Sequence, residues 1–405
     1  MSLNTQQREA RDLILRAKDN IFLSGFAGTG KTHLLRSLIK SLREKGNQVR
    51  VVAFTGLAAQ HLQGTTIAKL LGLGLCRRIE DMHRVELDRA VQNLKGVTHI
   101  VVDEISMVSG DYLELIDEVC QYATGNPEPF GGIRMIFGGD FMQLPPIQTE
   151  KEVPAKMPWA FEYLGFQEAI AVFLTESHRQ TDEKELDLLN EFRQGIISPA
   201  GRKFLDDAVG RKLENPVSLY PYRKDVEQMN QDLLSTHKGK LYTYQTKGTP
   251  WDKEDMLLQN VPVGKKVELK EGVPVIVLTN DPGGKFVNGS QGIVRALYDA
   301  AVTVELNNGH MIAVHPRTWE ILNPEGKMLG QVRGMPLTLG WAATIHRAQG
   351  MTLDAVSTDI SKCWEPGQAY VALSRTRSLE GISLRSKVEQ IKADAVALSY
   401  VNNLF

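Results

Sequence analysis

The chain has 405 residues, 42% of them hydrophobic and 23% charged, which suits a globular protein of two to three domains and excludes a disordered one. Its formal net charge is −1, so it lacks the cationic excess of a simple basic nucleic-acid binder, and any nucleic-acid contact must come from a local groove. Three widely spaced cysteines, Cys76, Cys120 and Cys363, argue against a disulfide scaffold or a zinc site and fit a reducing cytosol. Met1 to Gln7 shows no basic region leading into an apolar core, so no signal peptide is expected. The most apolar stretch, Trp159 to Leu174, carries Glu162, Gln167 and Glu168 and makes a poor membrane span.

Ile21 to Ser24 is a short apolar run ending in a glycine-rich turn, and Thr32 to Leu42 then has helical spacing. Further buried-strand runs follow at Val51 to Phe54, Ile100 to Val102 and Met135 to Phe137. Apolar strands separated by helices predict a parallel sheet covered on both faces. The turn after the first strand reads Gly25-Phe-Ala27-Gly28-Thr29-Gly30-Lys31-Thr32, a full match to a phosphate-binding loop between a strand and a helix. Its glycines let backbone N–H groups approach phosphates, and the helix start adds partial positive charge. Lys31 is expected on the β- and γ-phosphates of ATP, and Thr32 on Mg²⁺. The third strand ends in Asp103-Glu104. Asp103 would hold Mg²⁺ through water and Glu104 would polarise the attacking water. The fourth leads into Gly138-Gly-Asp140-Phe-Met-Gln143-Leu-Pro145-Pro146, where Gln143 is placed to sense the γ-phosphate and the prolines stiffen the connection.

After about Arg179 the pattern changes. Glu185 to Arg193 reads as an amphipathic helix, Pro216 to Tyr220 as a strand and Lys224 to Leu234 as a helix. From about Gly264 to Thr338 short strands alternate with glycine and asparagine turns, among them Val273 to Leu278, Gly292 to Val294, and Val302 to Leu306 before Asn307-Asn308-Gly309. This is a small all-β insertion, after which the α/β pattern is expected to resume at Leu337. Arg179 and Arg375 stand out as arginines able to stabilise charge on the γ-phosphate, supplied by a second domain so that hydrolysis depends on domain closure. Leu339 to Leu353 holds Thr344, His346, Gln349 and Gly350 in a short polar turn able to serve a phosphate backbone and an ATP edge.

Taken in order, these segments resemble the Pif-type (petite integration frequency) helicases of helicase superfamily one, alongside the RecD-like and phage Dda-like enzymes. The resemblance rests on the loop at Gly25, Val51 to Ala59 with Thr55 and Gly56, Asp103-Glu104, Gly139 to Pro146, Arg179, Asn288 to Gly292, Thr344 to Gly350, and Gln368 to Arg375. It runs from about residue 3 to 381. It implies an α/β fold of two RecA-like P-loop domains with parallel sheets, residues 1–180 and 181–405, and ATP in the cleft between them. It also implies a small wedge insertion at about 64–96 and an SH3-like β insertion at about 292–336. The implied activity is ATP- and Mg²⁺-dependent 5′→3′ translocation on single-stranded DNA and unwinding at single-strand/duplex junctions, by a monomer or by a dimer on DNA, with no membrane partner. Forked and structured DNA, G-quadruplexes included, are compatible substrates.

The resemblance also assigns roles. Gln7 matches the family's adenine-reading glutamine, and Gly350 joins the nucleotide set. The DNA set is Thr55, Gly56, Thr65, Thr66, Lys69, Pro145, Tyr222, Thr344 and His346. Two positions depart from the family pattern: Ala68-Lys69 stands where His-Ser is usual, leaving Lys69 to make a phosphate contact instead, and Tyr222 stands where Thr is common and offers base stacking. The rival readings are a P-loop phosphotransferase unrelated to DNA, a degenerate ATPase partner and a RecD-like subunit of a DNA-processing complex.

Overall fold

The computed structural model describes residues 3–54, 59, 62, 64–73, 76, 78–146, 155–176, 183–258, 261–279, 281, 285–286, 290–322 and 328–404. The chain forms two compact units: residues 1–213, 352–354 and 358–405 make the first, and 214–351 with 355–357 the second.

The first unit begins with α1 (Thr5–Arg16), whose start is closed reciprocally by Asn4 and Gln7. Strand β1 (Ile21–Gly25) is buried throughout and feeds the turn into α2 (Lys31–Glu44). That helix buries Leu34, Leu35, Leu38, Ile39 and Leu42, one apolar stripe at helical spacing. Then come β2 (Val49–Ala53), the two-residue β3 (Thr65–Thr66), the one-turn α3 (Ile67–Leu71) and α4 (Arg84–Leu94). Strand β4 (His99–Asp103), α5 (Gly110–Thr124), β5 (Arg134–Gly138) and β6 (Ile170–Leu174) complete a six-stranded sheet in the order β3-β2-β4-β5-β1-β6, every pair parallel. Helices α6 (Glu183–Arg193) and α7 (Pro199–Ala208) follow.

The second unit opens with β7 (Val217–Tyr220) and α8 (Arg223–Thr236). Its antiparallel part holds β8 (Tyr242–Gln245), β9 (Lys247–Thr249), β10 (Lys266–Leu269), β11 (Pro274–Val277), β12 (Gln291–Tyr298), β13 (Ala301–Leu306), β14 (Met311–Val314), β15 (Arg317–Leu322), β16 (Met328–Gly334) and β17 (Leu337–Leu339). The largest of these sheets runs β14-β13-β12-β11-β17, and Val275, Val294, Val302 and Val304 are buried in its core. Gly309 turns the β13–β14 hairpin with φ 82°. The antiparallel part is longer than the glycine and asparagine turns suggest, starting at Tyr242. Leu337 to Leu339 pairs antiparallel with β11 instead of resuming the α/β pattern. The parallel pattern returns at β18 (Ala342–Thr344), which lies beside β7 with Thr344 level with Tyr220. Asn230 of α8 locks that strand by hydrogen bonds from its amide to Ala342 O (3.2 Å) and from Ala342 N to its Oδ1 (3.0 Å). The one-turn α9 (Ile345–Ala348) follows.

The chain then rejoins the first unit. Helix α10 (Gln368–Leu373) is buried at every residue, and α11 (Ala395–Leu404) places Ala397 and Val401 in that unit's core. Among the described residues no helix is long and apolar enough to cross a membrane.

Candidate nucleotide and nucleic-acid sites

Strands β1, β4 and β5 end at the same edge of the parallel sheet, the edge at which such sheets bind ligands. Each contributes charged or phosphate-binding residues there. The turn after β1 has the backbone its motif requires. A Cβ on Gly25 would lie 2.5 Å from Leu174 O, and Gly28 and Gly30 have φ near 80°. A side chain at Gly25 would push β6 off β1, so this position admits only glycine. The Lys31 ammonium donates to Gly25 O at 2.8 Å and Phe26 O at 3.1 Å. Burial draws its pKa below the usual lysine range, although the charges of Asp140, Glu104 and Asp103 oppose the shift. Thr29 is buried, and its carbonyl accepts from Gln7 Nε2 at 2.9 Å. Gln7 is itself 1% exposed. It is therefore no solvated helix-start residue: it caps α1 and ties that helix to the phosphate loop.

At the end of β4, Asp103 is buried and its pKa is pushed up to about 7, first by burial and then by the charge of Glu104. Glu104 occupies the left-handed region, φ 53° and ψ 49°, and its N–H donates to Asp103 Oδ1 at 3.0 Å. A glutamate in that conformation costs on the order of 1–3 kcal/mol. These acids fit a divalent cation: like charges crowd where burial disfavours them, and Thr32 stands second in α2, directly after Lys31. No group of three or more His, Cys, Asp or Glu side chains placed to hold a metal occurs among the described residues.

Beyond β5, Gln143 is 6% exposed and donates from Nε2 to Asp140 Oδ2 at 3.4 Å. Gly367 is seated on this segment, where a Cβ would meet Gln143 O at 2.2 Å. It starts α10 in a left-handed conformation, φ 79°. Helix α10 carries Tyr370, whose hydroxyl accepts from the loop's Ala27 N at 3.1 Å, and leads into Arg375. Arg375 is 2% exposed and donates from Nε to Val371 O and from Nη2 to Ser374 Oγ, both at 2.7 Å. Burial lowers its pKa, against the opposing charges of Glu104, Tyr370 and Asp140. Arg375 therefore belongs to the same compact unit as the phosphate loop, because a wholly buried helix pins it there. The expected supply of this arginine by a separate domain is not how the compact units divide.

Arg193, read only as the end of an amphipathic helix, is part of this site. It is 4% exposed and grips the fully buried Asp140, with Nη2 at 2.7 Å from Oδ1 and Nε at 3.2 and 3.3 Å from the two oxygens. Its guanidinium lies 5.5 Å from the ring centroid of Phe26 and 5.8 Å from that of Phe173. No sequence motif marks it. The available signal was an arginine on the apolar side of a helix, beside Phe192.

The expected DNA set divides between the units. Thr66 ends β3 and caps α3, its hydroxyl accepting from Lys69 N at 3.2 Å, with Lys69 exposed. In the second unit Thr344 ends β18 and caps α9, its hydroxyl accepting from Arg347 N at the same 3.2 Å. Each unit thus has a short parallel strand, a capping threonine, an isoleucine and, three residues after the threonine, a cation. Thr65 and His346 flank these turns, and Pro145 is half-buried. Tyr222 is 49% exposed and precedes α8. Gly350, with φ 78°, closes the turn after α9 in the second unit. Thr55, Gly56 and Arg179 lie outside the described residues.

Residues 2–199 match the family model for PIF1-like helicase. The chain is 35% identical over 395 residues to the ATP-dependent DNA helicase Pif1 of Bdellovibrio bacteriovorus, covering 95% of this chain and 88% of that protein. It is 32% identical to the ATP-dependent DNA helicase PIF1 of Xenopus laevis, of whose length it spans 61%. Among solved structures, the Pif1 helicase from Candida albicans superposes with a TM-score of 0.87 at 31% identity, with full coverage of both chains. The Bacteroides Pif1 helicase in complex with ADP-AlF3 and ssDNA does so with a TM-score of 0.80 at 31% identity, over 100% of this chain and 97% of that one. The parallel α/β architecture is that of two RecA-like domains, and the chain belongs to the PIF1-like helicase family.

Proposed function

We propose that this ATP-dependent DNA helicase is a 5′→3′ motor that hydrolyses ATP with Mg²⁺ at the sheet edge of its first unit and grips single-stranded DNA with one threonine-capped turn in each unit. The observation that carries this reading is the assembly of Lys31, Asp103, Glu104, Gln143 and Arg375 around one phosphate loop. The relatives named as ATP-dependent DNA helicases, and the Bacteroides structure holding ADP-AlF3 and ssDNA, support it.

In this reading Lys31 leaves the carbonyls of Gly25 and Phe26 for the β- and γ-phosphates, and the loop amides from Gly25 to Gly30 line them. Thr32 and Asp103 would hold the magnesium ion, which when bound neutralises phosphate charge. Glu104 takes a proton from the attacking water, and Gln143 fixes that water's orientation against the γ-phosphate. Arg375, buried and always cationic, stabilises charge on the transferred group, with Arg179 as its proposed companion. Gln7 and Gly350 complete the nucleotide set.

Thr55, Gly56, Thr65, Thr66, Lys69, Pro145, Thr344 and His346 contact the DNA backbone, and Tyr222 stacks on a base. Backbone contacts carry no sequence information, so binding is sequence-tolerant and salt-sensitive. Opening a base-pair step costs about 1.4 kcal/mol on average, within reach of one ATP. The two motor domains span 1–180 and 181–405 in this proposal, with a wedge at about 64–96 and an SH3-like insertion at about 292–336. We place the enzyme in a bacterial or phage-infected cytoplasm, as a monomer that pairs on forked DNA. A solved structure described as two coordinating Pif1 helicases unwinding forked dsDNA supports the pairing. ATPase measured with and without single-stranded DNA tests the motor, and tailed duplexes test its direction. Turnover indifferent to single-stranded DNA refutes the first, and unwinding only from a 3′ tail refutes the second.

A further inference from the structure

We propose that Arg193 is a positioning residue that keeps Asp140 from capturing Lys31, and so sets the affinity for ATP. This rests on the nucleotide-site reading above. Asp140 is fully buried, and its two oxygens receive Arg193 Nε and Nη2, Met142 N at 3.2 Å and Gln143 Nε2 at 3.4 Å. Arg193 also faces the ring of Phe26, whose carbonyl is one of the two acceptors of the Lys31 ammonium. One guanidinium thus touches both a loop residue that holds Lys31 and the acid that competes for it.

A carboxylate cut off from water is stable only when paired. Arg193 supplies that pairing through a flat, two-nitrogen contact no lysine can copy. Burial raises the Asp140 pKa and the charge and hydrogen bonds of Arg193 lower it, with a net shift below the usual carboxylate range. Asp140 is therefore a full negative charge held within the field of Lys31. With Arg193 in place that charge is spent on the guanidinium, and the ammonium rests on two neutral carbonyls that triphosphate readily displaces. Without Arg193, Asp140 keeps only weak neutral donors, Met142 N and Gln143 Nε2, and Lys31 is a cation already within its field and able to turn to it. The lysine then pairs with the aspartate, and incoming phosphates must break a buried ion pair.

The test compares wild type, R193K, R193M and the double variant D140N/R193M, reading KM for ATP in the presence of single-stranded DNA, the Kd of a fluorescent ADP analogue and the unfolding midpoint. The expected result is a rise of about tenfold or more in KM and Kd for R193M, a smaller rise for R193K, and recovery to within about threefold of wild type in D140N/R193M, where the competing charge is gone. A lower unfolding midpoint with unchanged KM and Kd would make Arg193 merely structural and overturn the proposal, as would a double variant as weak as R193M. If R193M does not fold, R193K and the double variant decide between the same outcomes. A wild type whose turnover ignores single-stranded DNA defeats the motor reading, whereas a stimulated wild type with flat KM values across the series defeats only this inference.

Discussion

The proposed nucleotide site of the first unit and the threonine-capped turns proposed to grip DNA are built by opposite means. Asp103, Gln143 and Arg375 are buried and Lys31 is partly buried, and each is held by a polar contact or by the field of a neighbouring charge. Thr66 and Thr344 are half-buried at strand ends, each spends its hydroxyl on one helix N–H, and Lys69 is exposed. Preorganised charges in a water-poor site stabilise a transition state without reorganising. A strand that must be released at every step is better held by exposed groups whose attraction water and salt moderate. In the proposed reading, burial separates chemistry from grip.

This contrast can be broken by experiment, most severely at the buried end. Lys31→Ala should drop ATP turnover to background, a loss of about a thousandfold or more. DNA-stimulated turnover surviving in that variant would show that the buried array is not the engine. Arg375→Ala should cost about a thousandfold in kcat while nucleotide affinity, read by fluorescent ADP binding, stays near that of wild type. An unchanged kcat removes it from the transition state. At the gripping end effects are smaller. Thr66→Ala and Thr344→Ala should each cost about 1 kcal/mol of stability through the lost cap and weaken single-strand binding severalfold, by similar amounts. If one variant binds normally, the two turns are not equivalent. Smallest is Lys69→Ala: affinity should fall a few-fold, and the slope of log Kd against log salt should flatten by about 0.7, one phosphate contact on a single strand.

What could be read from the chain follows the distance over which each feature is built. Gly25 to Thr32 and Asp103-Glu104 are contiguous, so their roles show in the string itself, and the structure sets both at one sheet edge. Arg193 is different, since its partner Asp140 is 53 positions away and nothing in Glu-Phe-Arg193-Gln announces it. Leu337 to Leu339 was misread because a short apolar run is the same for a buried parallel strand and for one pairing antiparallel with Val275 to Val277. The threonine turns were visible, but their sameness rests on cap geometry, which only coordinates give. That Arg375 shares a compact unit with Lys31 was not legible, because position along the chain says little about which core a buried helix joins.

The hydroxyl of Tyr370 meets Ala27 N across 343 positions. A ribosome finishes the phosphate loop long before it makes the residue that braces it, and Arg375 emerges later still. Throughout that interval the nascent chain holds the phosphate loop without the tyrosine hydroxyl that Ala27 N donates to. Any early stop before Tyr370 yields a fragment in the same condition, a phosphate loop without the hydroxyl that Ala27 N meets.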